Sequence, residues 1–177
     1  MIGFDTETTG LARPSATEPH LQPFMIEIYA AKFNDDFEIV DEFEHLLKPT
    51  IPISEEITKI TGITNDMVCN APEFIEVYDD LCDFFLGETV VYAHNCTFDI
   101  GILKGELARH GLVTNFPWPK DQRCTVELSM PLENKRLTLG KLYKIATGKE
   151  IENAHRAKND VLPMIECIRF LKENGLD

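Results

Sequence analysis

No stretch of this 177-residue chain approaches the roughly 20 consecutive apolar residues that cross a bilayer, so a membrane-spanning helix is excluded. The opening residues, Met-Ile-Gly-Phe-Asp, have neither the basic start nor the apolar run of a secretory signal, and a cytoplasmic protein is expected. Paired cysteine is missing too. Cys69, Cys82, Cys96, Cys124 and Cys167 are odd in number, widely spaced and without a Cys-x-x-Cys, which argues against a disulfide framework or zinc ribbon and for a reducing compartment. Neither GxxxxGK[ST] nor GxGxxG occurs, so a P-loop or dinucleotide site has no support. With no repeat, low-complexity tract or linker, residues 1–177 read as a single domain, and 44% hydrophobic residues suffice for its core.

Positive charge is scarce and unevenly spread. Seventeen Lys and Arg face 30 Asp and Glu, a net −13, the wrong sign for a protein that coats nucleic acid. Residues 1–100 hold 20 acids and 4 bases, whereas residues 101–177 hold 10 acids and 13 bases. Between Lys135 and Lys158 lie seven bases (Lys135, Arg136, Lys141, Lys144, Lys149, Arg156, Lys158) and two acids. On charge alone this stretch is first a solvated helix face, and second a local hold on a polyanion.

What is present reads as an α/β domain. Strands are expected at Ile2–Thr6, at Phe24–Phe33 and, after the Asn34-Asp35-Asp36 turn, from Phe37 to about Leu47. Ala12 to Pro23, with three prolines, reads as a loop. Short helices follow at Ser54–Ile60 and Asn65–Val68. A longer one from Glu73 to Leu86 carries Phe74, Val77, Leu81, Phe84 and Phe85 at helical spacing. Thr89–Ala93 is a buried strand, Asp99–His110 a helix closed by Gly111, Arg123–Val126 a short strand and Leu139–Ala146 a helix. The last helix runs to about Glu173 with Pro163 inside it. The order implies a mixed sheet, with antiparallel pairing expected only in the hairpin.

Three clusters carry chemistry. Asp5 and Glu7 are two apart on a strand, so their carboxylates share a face, where they repel unless a hard divalent cation accepts oxygen ligands from both. Alone, such a pair is ordinarily two exposed strand acids. His94-Asn95-Cys96-Thr97-Phe98-Asp99 lies where an apolar strand passes into a helix, the place where open α/β sheets bind ligands. There Asp99 alone would be a helix N-cap, Phe98 a core residue, and His94 and Asn95 loop residues. In Ala154-His155-Arg156-Ala157-Lys158-Asn159-Asp160, a lone histidine is ordinarily structural and a lone aspartate a surface acid.

Taken in order, D-T-E-T-T-G-L, H-N-x-x-F-D and A-H-R-x-x-x-D resemble the motifs of the DEDDh exonucleases, the DnaQ-like branch of the ribonuclease-H-like fold. Met25-Ile26-Glu27-Ile28 resembles that family's second strand, and Ile60-Thr61-Gly62-Ile63-Thr64 its post-hairpin turn. The resemblance implies a mixed five-stranded sheet flanked by helices, and a 3′–5′ exonuclease releasing nucleoside 5′-monophosphates. It assigns Asp5, Glu7, Asp99 and Asp160 to two Mg²⁺ or Mn²⁺ ions, with Asp5 bridging, Glu7 and Asp160 completing one site and Asp99 supporting the other. His155 resembles the general base, a role suited to an unperturbed pKa near 6.5. Thr6, Thr8, Leu11, Asn95 and Phe98 match positions that touch the terminal nucleotide.

The charge pattern adds Arg156 and Lys158, with Lys141 or Lys144, as contacts for the strand. Expected partners are single-stranded 3′ ends, DNA before RNA, and a polymerase or replication partner. The chain stops soon after its last helix, without the extension by which the polymerase subunit of that family docks, so action alone or as a small homodimer is also expected. A catalytically silent binding module on the same fold would lack one of the four carboxylates or His155, and all five are filled.

Overall fold

The computed structural model describes residues 1–11, 21–152 and 154–177. Five strands form one mixed sheet: β1 (Ile2–Thr8), β2 (Met25–Phe33), β3 (Ile39–Leu46), β4 (Val90–Ala93) and β5 (Asp121–Cys124), in the order β3-β2-β1-β4-β5. Among the described residues the helices are α1 (Glu55–Thr61), α2 (Asn65–Val68), α3 (Phe74–Phe85), α4 (Cys96–Arg109), α5 (Thr125–Glu133), α6 (Leu139–Thr147) and α7 (Ala157–Glu173). The mixed five-stranded sheet is as expected. One pairing expectation is corrected: β1 runs antiparallel to β2, as β2 does to β3, while β4 and β5 add in parallel. The first three strands are therefore a meander, and only the last two follow helical crossovers. Residues 12–20 of the proline-rich loop lie outside the described residues.

Alternation along β1 sorts its side chains between two layers. Ile2 and Phe4 join Phe74, Leu81 and Phe85 of α3 and Ile102 and Leu103 of α4 in the larger core. The opposite face packs on α7, where Tyr29, Ala31, Phe33 and Tyr92 meet Val161, Met164, Ile165 and Ile168. Gly3 sits on that face: a Cβ there would lie 3.1 Å from Met164 Cε and 3.4 Å from Val161 Cγ1, so α7 approaches β1 closely because position 3 has no side chain.

Helix α4 starts three residues before the expected Asp99. Its N-cap, Asn95, adopts the left-handed conformation (φ 71°), a state that asparagine tolerates, so the chain turns into the helix directly beyond β4. Asp99 is thus inside the first turn and not the cap. At the other end Gly111 (φ 71°) closes α4 as expected, with Leu112 N–H donating to Leu107 O at 2.8 Å in a Schellman arrangement. Helix α5 was not expected from the sequence, because Thr125–Glu133 contains Pro131 and has little amphipathic period. The expected strand at Arg123–Val126 consequently ends at Cys124.

Candidate active site

The site forms where β1, α4 and α7 converge. Asp5 and Glu7 have the same strand parity as Gly3, so they face the α7 layer, and α7 delivers Asp160 from its first turn. One carboxylate oxygen from each of Asp5, Glu7 and Asp160 lies within 4.8 Å of the others, the only such group of metal-ligating side chains among the described residues. Thr6 has the opposite parity and faces α4. Its N–H donates to Asp99 Oδ1 at 3.1 Å and its hydroxyl to the same oxygen at 2.8 Å. Asp99, buried within α4, is thereby tied to β1 from the other side, which is why it stands outside the three-oxygen group while remaining its electrostatic neighbour.

The electrostatics are those of crowded acids. Burial, and then the charges of Asp160, Glu27 and Asp99, push Glu7 up to about 8, with Arg156 opposing. Burial raises Asp99 to about 7 against the hydrogen bonds from Thr6. Asp5 is raised well above the ordinary carboxylate range, by burial and then by Asp99, Glu7 and Asp160. Asp160 is also raised by burial, with the His155 main chain and charge pulling the other way. Such a group stores repulsion that a divalent cation would relieve. Its donors are all carboxylate oxygens, which suits a hard cation such as Mg²⁺ or Mn²⁺.

His155 is exposed, with φ 68°, and its main-chain N–H donates to Asp160 Oδ2 at 3.2 Å. Leu11 is 86% exposed beside the acids in sequence. Asn95 is exposed and accepts from Arg136 Nη2 at 3.0 Å. Phe98 is half-buried against the larger core. Thr6 and Thr8 are buried, and the Thr8 hydroxyl donates to Gly10 O at 2.5 Å. The bases expected to line the strand path face acids. Arg156 is engaged by Glu27, Lys158 by Glu42 and Glu44, Lys141 by Glu133 and Lys144 by Glu150.

Two residues at the site escaped the sequence reading. Glu27 was visible only as an acid inside the apolar run Met25–Tyr29, a signal that it needs a partner. Arg136 was one base among seven, and only folding brings it to Asn95. His94, by contrast, is structural: Nδ1 meets Thr125 Oγ1 at 2.9 Å, and burial lowers its pKa to about 4, so the ring is neutral.

The sequence pattern of the exonuclease family RNase_T matches residues 2–167. The chain belongs to the exonuclease family. Within it the resemblance is to the DnaQ-like DEDDh type of 3′–5′ exonuclease. The PolC-type DNA polymerase III of Caldanaerobacter subterraneus subsp. tengcongensis is 35% identical over 180 residues, covering 99% of this chain and 12% of that protein. The PolC-type polymerase of Clostridium perfringens is 33% identical over 169 residues, covering 96% of this chain and 11% of that protein. The exonuclease chain thus spans about a tenth of the length of these polymerases (12% and 11%).

Among solved structures, the nuclease domain of 3′hExo, a DEDDh family member bound to rAMP, has the same fold. Its TM-score is 0.78 at 17% identity, over 98% of this chain and 92% of that one. Exonuclease X in complex with 5′ overhanging duplex DNA superimposes with a TM-score of 0.68 at 24% identity, over 98% and 92% of the two chains.

Proposed function

We propose that residues 1–177 form one exonuclease domain that hydrolyses phosphodiester bonds from the 3′ end of nucleic acid, DNA before RNA, releasing nucleoside 5′-monophosphates. The observation that carries this reading is the convergence of Asp5, Glu7 and Asp160 within 4.8 Å, with Asp99 held alongside by Thr6. Asp5, Glu7 and Asp160 would hold one divalent cation, and Asp5 with Asp99 would hold a second. When bound, the two supply neutralisation of the phosphate and acidification of the attacking water. His155, exposed and joined to Asp160 through its main chain, would take the proton of that water as general base. Leu11, Asn95 and Phe98 would border the terminal nucleotide.

The preference for DNA is supported by the PolC-type polymerases that resemble the chain over nearly all of its length, and a replicative polymerase is the partner they suggest. The test is incubation of 5′-labelled single-stranded DNA and RNA with Mg²⁺ or Mn²⁺. A ladder shortening from the 3′ end is expected, faster on DNA. Internal cuts, or full activity in EDTA, would overturn the reading, and a faster ladder on RNA would reverse the preference.

A further inference from the structure

Glu27 is the acid at the site that the proposed chemistry leaves unused. It stands in β2 among Ile26, Ile28 and Tyr29, is 2% exposed, and lies directly across from Glu7 in the antiparallel register. Two glutamates opposite each other repel, and a buried carboxylate costs several kcal/mol unless it is paired and hydrogen-bonded. Among the described residues, the partners of the Glu27 side chain come from the start of α7. Arg156 Nε lies 3.0 Å from both Oε1 and Oε2, Arg156 Nη2 lies 2.5 Å from Oε1, and the Ala157 N–H donates to Oε2 at 2.9 Å.

The contact with Ala157 has a specific meaning. Arg156 is the N-cap residue of α7, yet its side chain caps nothing. Glu27 does from a distant strand what Ser or Asp ordinarily does locally. It satisfies an orphan N–H of the first turn and puts negative charge at the positive end of the helix. The residue before Arg156 is His155, and the first main-chain bond of the helix, Asp160 N–H to Arg156 O at 3.1 Å, carries Asp160.

We propose that Glu27 and Arg156 are a positioning pair: they dock the entry of α7 onto the sheet at the level where Asp160 meets Asp5 and Glu7 and where His155 is presented. Arg156 is then a strut of the site and not a contact for the incoming strand. The kinetic side of this inference rests on the exonuclease reading; the metal-binding side does not.

The test uses the full chain as wild type, Glu27→Gln, Arg156→Lys and the double variant. Mn²⁺ affinity is measured by calorimetry without substrate, alongside kcat, KM and Tm. Each single variant is expected to bind Mn²⁺ about 10-fold more weakly and to lose kcat, with KM within roughly 2-fold. Arg156→Lys keeps the charge but loses the two-pronged contact, so it is expected to behave like Glu27→Gln. The double variant is expected to be no worse than the worse single one, because each already breaks the pair.

A raised KM in Arg156→Lys, with Mn²⁺ affinity unchanged, would overturn the proposal in favour of a strand contact. A lower Tm with unchanged Mn²⁺ affinity and kcat would overturn it in favour of a purely stabilising pair. Should Glu27→Gln not fold, Arg156→Lys alone still decides between these outcomes. Absence of nuclease activity in the wild type would sink the exonuclease reading, while the Mn²⁺ titration would still judge the pair.

Discussion

Asp160 carries a charge that its surroundings penalise until a cation arrives: it is half-buried, beside Asp5 and Glu7, and eased only by His155. Asp160→Asn is therefore expected to abolish turnover and to leave the metal-free fold at least as stable, since an amide oxygen can still accept the His155 N–H. Melts in EDTA alongside activity in Mg²⁺ check this, and a variant several degrees less stable in EDTA would make Asp160 a structural partner. His155 needs two substitutions because its main chain is left-handed (φ 68°), where alanine costs roughly 1 kcal/mol and glycine does not. Both His155→Ala and His155→Gly should lose about 10²–10⁴ in kcat, with a residual rate that rises with pH as hydroxide replaces the base. Recovery in the glycine variant would assign the loss to strain and not to the imidazole.

At the scale of elements, the site depends on how near α7 lies to β1. The side chain missing at Gly3 sets that distance, with Met164 Cε 3.1 Å from where a Cβ would stand. Gly3→Ala is expected to be mild, because the tip of a methionine moves easily. Gly3→Val adds branches that press on Val161 and Ile165 as well, an overpacking of roughly 1–3 kcal/mol. It should therefore lower Tm and, by pushing α7 outward, weaken Mn²⁺ binding. Unchanged Mn²⁺ affinity in a folded Gly3→Val would show that the first turn of α7 is held independently of this contact. On the other face, α4 delivers Asp99 because Asn95 turns the chain sharply enough to start the helix at once.

For the whole molecule, the question is how a chain of net charge −13 would hold the polyanion proposed as its substrate. Lys141, Lys144, Arg156 and Lys158 are each committed to an acid, whereas Arg136 makes no ion pair among the described residues and reaches Asn95. Arg136→Ala is expected to raise KM and flatten the log–log salt dependence by roughly 0.7, the loss of one phosphate contact on a single strand. Lys141→Ala/Lys144→Ala should leave both unchanged. Equal salt slopes in Arg136→Ala and wild type would remove that contact.

Global stability should also follow the acid cluster. Glu7 titrates near 8 in the fold against an ordinary 4.5, so across that window the folded chain binds more protons than the unfolded one. Its contribution to stability therefore falls as pH rises. In EDTA, Tm should drop between about pH 5 and about pH 8 by roughly 5 °C or more. Glu7→Gln should flatten that slope, and Mn²⁺ should restore Tm at the upper end. A wild-type slope no steeper than that of Glu7→Gln would mean that the repulsion is not felt.

The strands, most helices and the mixed sheet were legible in the residues, because period-two and helical spacing are local properties, whereas Asp99 and Asp160 were singled out only through the resemblance of their motifs to a known family. Asp5 and Glu7 share a face by strand geometry alone. Long-range relations were not legible. The antiparallel pairing of β1 with β2 depends on the path between them, and Thr6 and Thr8 turn inward because that face of β1 meets the core beneath α3 and α4. A charge count of the basic stretch could not see that Arg156 lies on Glu27, a residue 129 positions away in sequence. Residue types and their local spacing determined what chemistry the chain carries; which charges neutralise one another, and so which remain for a ligand, was decided only when the sheet and α7 closed together.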